Sequence, residues 1–253
     1  MADSNDPAEL KAAYEAAFGY WDERWEALLE ADPVLFAGYL DLATVPSRKG
    51  HLSPKVRALV FLAVDVASTH LYLPGVRQRI AQALDAGASR EEVVEVIQLV
   101  SGLGIHAMNI GVPLLQELLV ERGLPPAPET LSEHQQALKE DFTRKRGYWH
   151  AFWEGLLALD PEFFESFIEF SAIPWVHGVL EPKVKEFIYT AFDSASTHLY
   201  VEGWKLHMRN ALNYGATAEE LLEVMEISST LGIHGPLSAA PILLEELERR
   251  GLR

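Results

Sequence analysis

One segment repeats along the chain at a constant spacing of 128 positions, the distance from His70 to His198, with no insertion or deletion needed to keep the match. Gly19-Tyr20-Trp21 returns as Gly147-Tyr148-Trp149, Asp32-Pro33 as Asp160-Pro161, and Ser68-Thr69-His70-Leu71-Tyr72 as Ser196-Thr197-His198-Leu199-Tyr200. The register holds through Leu103-Gly104-Ile105-His106 and Leu231-Gly232-Ile233-His234, to Arg122-Gly123-Leu124 and Arg250-Gly251-Leu252. A match of this length makes each half one structural unit. The domain reading is repeat 1 over residues 1–124, a proline-rich linker over 125–132, and repeat 2 over 133–253. Pro125, Pro126 and Pro128 cannot continue a helix.

The punctuation inside a repeat is helical. Each opens with an aromatic-rich amphipathic segment, Glu9 to Glu30 and Glu133 to Leu159, which the Asp-Pro pair is expected to close. Ser53-Pro54 reads as an N-cap with proline at the first helical position, starting a helix that runs to about Ser68. A second helix, about Val76 to Ala86, stops at Gly87, a residue suited to a left-handed C-terminal cap. Ser89-Arg90-Glu91-Glu92, matched by Thr217-Ala218-Glu219-Glu220, has capping-box spacing and starts a third helix ending near Gly104. A fourth follows the Gly-Ile-His turn, bent or begun at Pro113 and Pro241. No segment alternates as a strand does, so the fold class is all-α, a tandem duplication of one helical unit.

The 253 residues include no cysteine. That removes disulfides, thiolate nucleophiles, CxxC pairs and Cys-ligated metals, leaving His, Asp and Glu for chemistry. A formal charge of −16 disfavours nucleic acid and anionic lipid as partners. No apolar run looks long enough for a membrane span, and the opening MADSNDPAEL is unlike a signal peptide. The expectation is a cytoplasmic protein whose partner is a small molecule or another protein.

Three recurrent features carry candidate chemistry. Asp65 and Asp193 lie near the C-terminal ends of largely apolar helices, where the dipole and desolvation demand a partner or a proton. His70 with Tyr72, and His198 with Tyr200, sit at a junction between helices, where imidazole and phenol can relay a proton. His106 and His234 begin a helix beside glycine. Histidines satisfying buried turns, and an aspartate capping one, fit the same pattern. The halves also differ: Glu186 and His207 in repeat 2 stand where repeat 1 has Ala58 and Arg79. Glu186 and Asp193 are seven residues apart on one helix and share a face.

The Pro-Lys helix start, the Gly-Ala-Ser/Thr ending and the Glu-Glu opening of the next helix resemble the carboxymuconolactone decarboxylase and AhpD-like superfamily, over Leu52 to about Gly104 and Leu180 to about Gly232. The family's peroxidase branch carries a glutamate, a CxxC and a histidine four residues after the second cysteine. His207 falls on that histidine and Glu186 on the glutamate, with an interval to Tyr200 about two residues longer than the pattern's. The cysteine positions fall on Tyr200 and Gly203 in repeat 2, and on Tyr72 and Gly75 in repeat 1. The resemblance implies the fold and a homo-oligomer, a trimer favoured. Without thiols, the peroxidase activity does not carry over.

Three functions follow as expectations. The first is a cofactor-independent lyase or decarboxylase on a small carboxylated lactone or β-keto acid. There His207 donates the proton, His198, Glu186, Tyr200 and Asp193 complete the catalytic group, and Arg209 and Trp204, with His234, His70, Tyr72 and His106, meet the substrate. The second is a metalloprotein holding a divalent transition metal, through His70 with His106 or His198 with His234 and an acid. The third is a non-catalytic binding oligomer.

Overall fold

The computed structural model describes residues 6–128 and 130–252. Among them are fourteen α-helices and no strand. Repeat 1 supplies α1 (Pro7–Phe18), α2 (Glu23–Ala31), α3 (Pro33–Lys49), α4 (Pro54–Val66), α5 (Leu73–Asp85), α6 (Arg90–Ser101) and α7 (His106–Glu121). Repeat 2 reproduces them as α8 (Glu133–Arg146), α9 (Phe152–Leu159), α10 (Pro161–Val176), α11 (Pro182–Ser194), α12 (Val201–Asn213), α13 (Ala218–Ser229) and α14 (His234–Arg249). The prolines at 125, 126 and 128 lie in a stretch without helix.

The leading segment differs from expectation. It is two helices, because Gly19 at φ +73 turns the chain out of α1, its N–H donating to the Glu15 carbonyl at 2.8 Å. Gly147 does the same for α8. Nor does Asp-Pro simply close a helix. The Asp32 carboxylate accepts from the backbone N–H of Val34 and Leu35 while Pro33 takes the first helical position, so the pair also starts α3. Asp160-Pro161 starts α10 in the same way. The Gly-Ile-His turns likewise do not break the chain. A 3-10 turn at Gly102–Ile105, and another at Thr230–Ile233, carries the helix through, giving helical runs of 32 residues over Arg90–Glu121 and Ala218–Arg249. Both are long and apolar enough by composition to cross a membrane, contrary to the sequence expectation, yet 50% and 44% of their apolar windows are buried in the protein, as in core helices.

Compact units cut the chain differently from the repeats. One joins everything up to Val93 with the chain from Pro182; the other is Val94–Glu181. In the first, α4 packs on α5, α11 on α12, and α11 against α4, while α14 of repeat 2 lies on α2 of repeat 1. In the second, α8 packs on α10, and α7 of repeat 1 lies on α9 of repeat 2. Each repeat thus lends its last helix to the leading helices of the other. Those leading helices centre on matching aromatic groups: Tyr14, Trp25 and Phe36 in one unit, Phe142, Trp153 and Phe164 in the other, all buried.

Two buried glutamates fasten the exchange. Glu223, on α13, is 0% exposed and accepts from the backbone N–H of His51 and Leu52 and from Arg57 Nε at 2.9 Å. Glu95, its counterpart on α6, accepts from the backbone N–H of Val179 and Leu180 at 2.6 and 2.8 Å. In each case a carboxylate from one repeat satisfies orphan donors ahead of the central helix of the other.

Candidate functional site

The Ser-Thr-His-Leu-Tyr block folds into the same strained turn twice. Leu71 and Leu199 adopt φ of +43° and +50°, left-handed backbone that costs a residue with a Cβ about 1–2 kcal/mol. The turn is held by backbone bonds from Leu71 N–H to the Ala67 carbonyl at 2.6 Å and from Tyr72 N–H to the Asp65 carbonyl at 2.9 Å. In repeat 2 the equivalents run from Leu199 to Ala195 and from Tyr200 to Asp193. This reversal lets α5 return so closely over α4, and α12 over α11, that only glycine fits at the crossing. A Cβ on Gly75 would overlap the Asp65 carboxylate, and one on Gly203 would lie 2.5 Å from Asp193 Oδ2.

In repeat 1 the turn assembles a half-buried polar group over the buried Asp65, and it recruits a residue from repeat 2. His70 Nε2 and His234 Nδ1 are 2.7 Å apart, a hydrogen bond in which one ring donates and the other accepts. Tyr72 stacks on His234 with ring centroids 3.9 Å apart. Asp65 Oδ1 lies 3.7 Å from His234 Nδ1, and its Oδ2 lies 3.5 Å from Arg79 Nε. Burial pushes the Asp65 carboxyl up to about 6, with Arg79 opposing the rise. Burial, then His70 and Arg79, pushes His234 down to about 3, so the imidazole pair is neutral at physiological pH. The ligand atoms of Asp65, His70 and His234 lie within 4.8 Å of one another, an arrangement able to hold a metal ion.

In repeat 2 the corresponding helices carry a different group. Glu186 Oε2 is 2.6 Å from His207 Nδ1, and Asn210 Nδ2 donates to Glu186 Oε1 at 3.3 Å. Tyr189 stacks on the His207 ring at 4.3 Å. All four are buried, Glu186 completely. Asp193 is also fully buried, and burial followed by the Glu186 charge pushes its carboxyl well above the ordinary carboxylate range. His198 Nε2 lies 3.9 Å from Asp193 Oδ1, with burial lowering its affinity for a proton, and its ring is 6.2 Å from the ring of buried Tyr200.

The structure thus pairs Glu186 with His207 and sets Asp193 beside Glu186 and His198. It also corrects the histidine pairing. His234 of the second Gly-Ile-His turn meets His70 of the other repeat, because α14 crosses onto the leading helices of repeat 1. Arg209 does not join the buried group. It is exposed on α12, since residues two apart on a helix face different ways, and His207 takes the inward face. Trp204 is half-buried with an indole N–H that has no hydrogen-bond partner. His106 is buried at the start of α7. Sequence reasoning missed Asn210 and Tyr189. Both stand three positions from a member of the pair, on the same helix face, and that spacing was the available signal.

The model of the carboxymuconolactone decarboxylase family matches the chain twice, over residues 33–103 and 161–235, taking in α3 and α10 as well as the resembling stretches. The structure is similar to the 1.70 Å crystal structure of a candidate gamma-carboxymuconolactone decarboxylase subunit from Burkholderia xenovorans LB400. The two are 52% identical, with a TM-score of 0.94 over 97% of this chain and 98% of that one. No curated protein matches the chain.

Proposed function

Since the chain belongs to the carboxymuconolactone decarboxylase family, we propose that it is a cofactor-independent decarboxylase acting on a small carboxylated lactone or β-keto acid. The observation that supports this reading is the buried Glu186–His207 pair. In such a substrate the bond to the carboxylate breaks, carbon dioxide leaves, and the electron pair passes into the neighbouring carbonyl as an enolate. The enolate carbon then takes a proton. Glu186 engages Nδ1 of His207, which fixes the ring and leaves Nε2 as the nitrogen that delivers the proton; solvent restores it. Asn210 holds the second Glu186 oxygen, so the carboxylate keeps its aim. His198 and Tyr200 orient the substrate, and Asp193 acts through Glu186.

The test is carbon dioxide release from a panel of carboxylated lactones and β-keto acids. His207→Ala is expected to lower kcat by about 10²–10⁴-fold on the substrate that turns over, the usual worth of a positioned general acid. Unchanged turnover overturns the assignment. The same reading carries a cytoplasmic homo-oligomer, a trimer favoured. Association into an oligomer is supported by the exposed apolar side chains Leu114, Leu115 and Leu118 along α7, and the subunit number is checked by light scattering.

A second reading, a divalent transition metal held by Asp65, His70 and His234, is favoured by the two-histidine, one-carboxylate donor set within 4.8 Å. Metal analysis of untagged protein decides it. Stoichiometric metal lost in His234→Gln supports it, and protein that stays metal-free after zinc or iron loading rejects it.

A further inference from the structure

Repeat 1 contains a cavity of about 550 Å³ at the place where repeat 2 holds its acid–base pair. The correspondence is residue by residue across the 128-position offset. Ala58 lines the cavity where Glu186 stands in repeat 2, Arg79 where His207 stands, Gln82 where Asn210 stands, and Phe61 where Tyr189 stands. Replacing glutamate by alanine opens the space and removes the group that would have accepted a proton. Replacing imidazole by guanidinium installs a permanent cation.

The cation is built in. Arg79 is 5% exposed, its guanidinium 4.0 Å from the centroid of the Phe61 ring. Its Nη1 donates to Gln82 Oε1 at 2.8 Å, and Gln82 is itself locked by a bond from Nε2 to the Phe18 carbonyl at 2.6 Å. Arg79 Nε is buried and turned toward Asp65, in an ion pair at 3.5 Å, which leaves Nη2 as the guanidinium nitrogen open to a ligand. Arg57 and Arg77 also line the cavity, against one carboxylate, Asp85, in a chain of net charge −16. Arg57 is paired with Glu223, whereas Arg77 is exposed with no ion pair among the described residues. Phe18, Phe61, Ala58 and Ala43 give the cavity an apolar side, and Tyr20, Ser47 and Gln78 add polar groups at its wall.

We propose that this cavity is a non-catalytic binding site for a small organic carboxylate with a flat apolar body, held by the Arg79 and Arg77 guanidinium groups and enclosed by Phe18 and Phe61. Guanidinium groups recognise carboxylate through paired N–H donors, and the aromatic walls supply apolar contact that inorganic anions cannot use. The two repeats would then have divided the labour, one moving a proton and the other gripping a charge. The proposal does not rest on the decarboxylase reading, because it concerns binding at residues that reading does not use.

The experiment is calorimetric titration of the full chain with benzoate, with inorganic phosphate as competitor. Wild type is expected to bind benzoate at the cavity, and Arg77→Gln to weaken that binding by about threefold to tenfold. Ala58→Glu places the repeat 2 acid beside Arg79 and should abolish it. Ala81→Leu fills the same space from an exposed lining position of α5, so the test stands even if the buried glutamate unfolds the protein. His207→Ala should leave binding at the cavity in place, and decarboxylation by Ala81→Leu should be unaltered. The proposal is overturned by benzoate binding unchanged in Ala58→Glu and Ala81→Leu, by no benzoate binding at millimolar concentration, or by phosphate displacing benzoate with equal affinity.

Discussion

His70 and His234 come from different copies of the repeat, 164 positions apart in the chain, and their ring nitrogens lie 2.7 Å from each other. In the unfolded chain each histidine takes up a proton below about pH 6.5. In the fold His234 stays neutral down to about 3. The folded state therefore binds fewer protons across that window. The stability this pair supplies is complete above pH 6.5 and is lost as the pH falls toward 3. Asp65 works the other way. With its pKa raised to about 6, the cost of burying its charge is felt above that pH and relieved as the pH falls. His234→Gln should remove the first effect and leave the second. The advantage of wild type over this variant in Tm is expected to shrink by several degrees between pH 7 and pH 4.5, and an advantage constant over that range would contradict the account.

Glu223 tests the fastening between repeats. Its fully buried carboxylate serves two backbone donors and Arg57 Nε, so Glu223→Ala takes the acceptor from all three, while Arg57 Nη2 keeps its bond to the Leu52 carbonyl. Breaking a buried ionic contact from one side costs about 3–5 kcal/mol. Urea unfolding should show that loss, and a loss below about 1 kcal/mol, the range of surface pairs, would mean water replaces the carboxylate.

Gly75 and Gly203 occupy the positions that match the second cysteine of the peroxidase branch, and the crossing of the helices explains why a side chain is refused there. A Cβ at Gly203 meets the Tyr200 ring at 2.5 Å as well as Asp193. Both obstacles are buried, so Gly203→Ala is expected to destabilise the protein by about 1–3 kcal/mol, as overpacking does. Gly203→Cys should be at least as damaging and confer no peroxide reduction together with Tyr200→Cys. Calorimetric Tm values for the three variants check this, and a wild-type Tm for Gly203→Ala would refute the crowding.

Glu186→Gln keeps the shape of the buried pair but removes its charge. In the proposed mechanism this variant should retain fold and substrate KM while kcat drops by about 10- to 100-fold, less than for His207→Ala, because the ring is still present but no longer steadied by a carboxylate. Steady-state kinetics with circular dichroism reads both halves of this statement, and a change confined to KM would make Glu186 a binding residue instead.

Local chemistry was legible in the sequence. Ser53-Pro54, Gly87 and the two capping boxes mark helix ends because their signals act within four residues, and the repeat declared itself because duplication preserves order along the chain. The Asp-Pro pair is locally ambiguous: aspartate at the N-cap and proline at the first position start a helix as readily as they follow one. The pairing of Glu186 with His207 was within reach once both were placed on adjoining helices. Convergence of His70 with His234 was not, since a repeat shows which positions are equivalent without showing which copy is the neighbour. That choice rests on α14 packing against α2 and on Glu223 reaching His51 and Leu52 from the other repeat. Sequence by itself determined the helical class, the duplication and the absence of thiol chemistry, because each follows from residue type and local spacing. Tertiary structure alone decided which acids and imidazoles share a buried site, because burial and proton affinity are set by contacts between helices far apart in the chain.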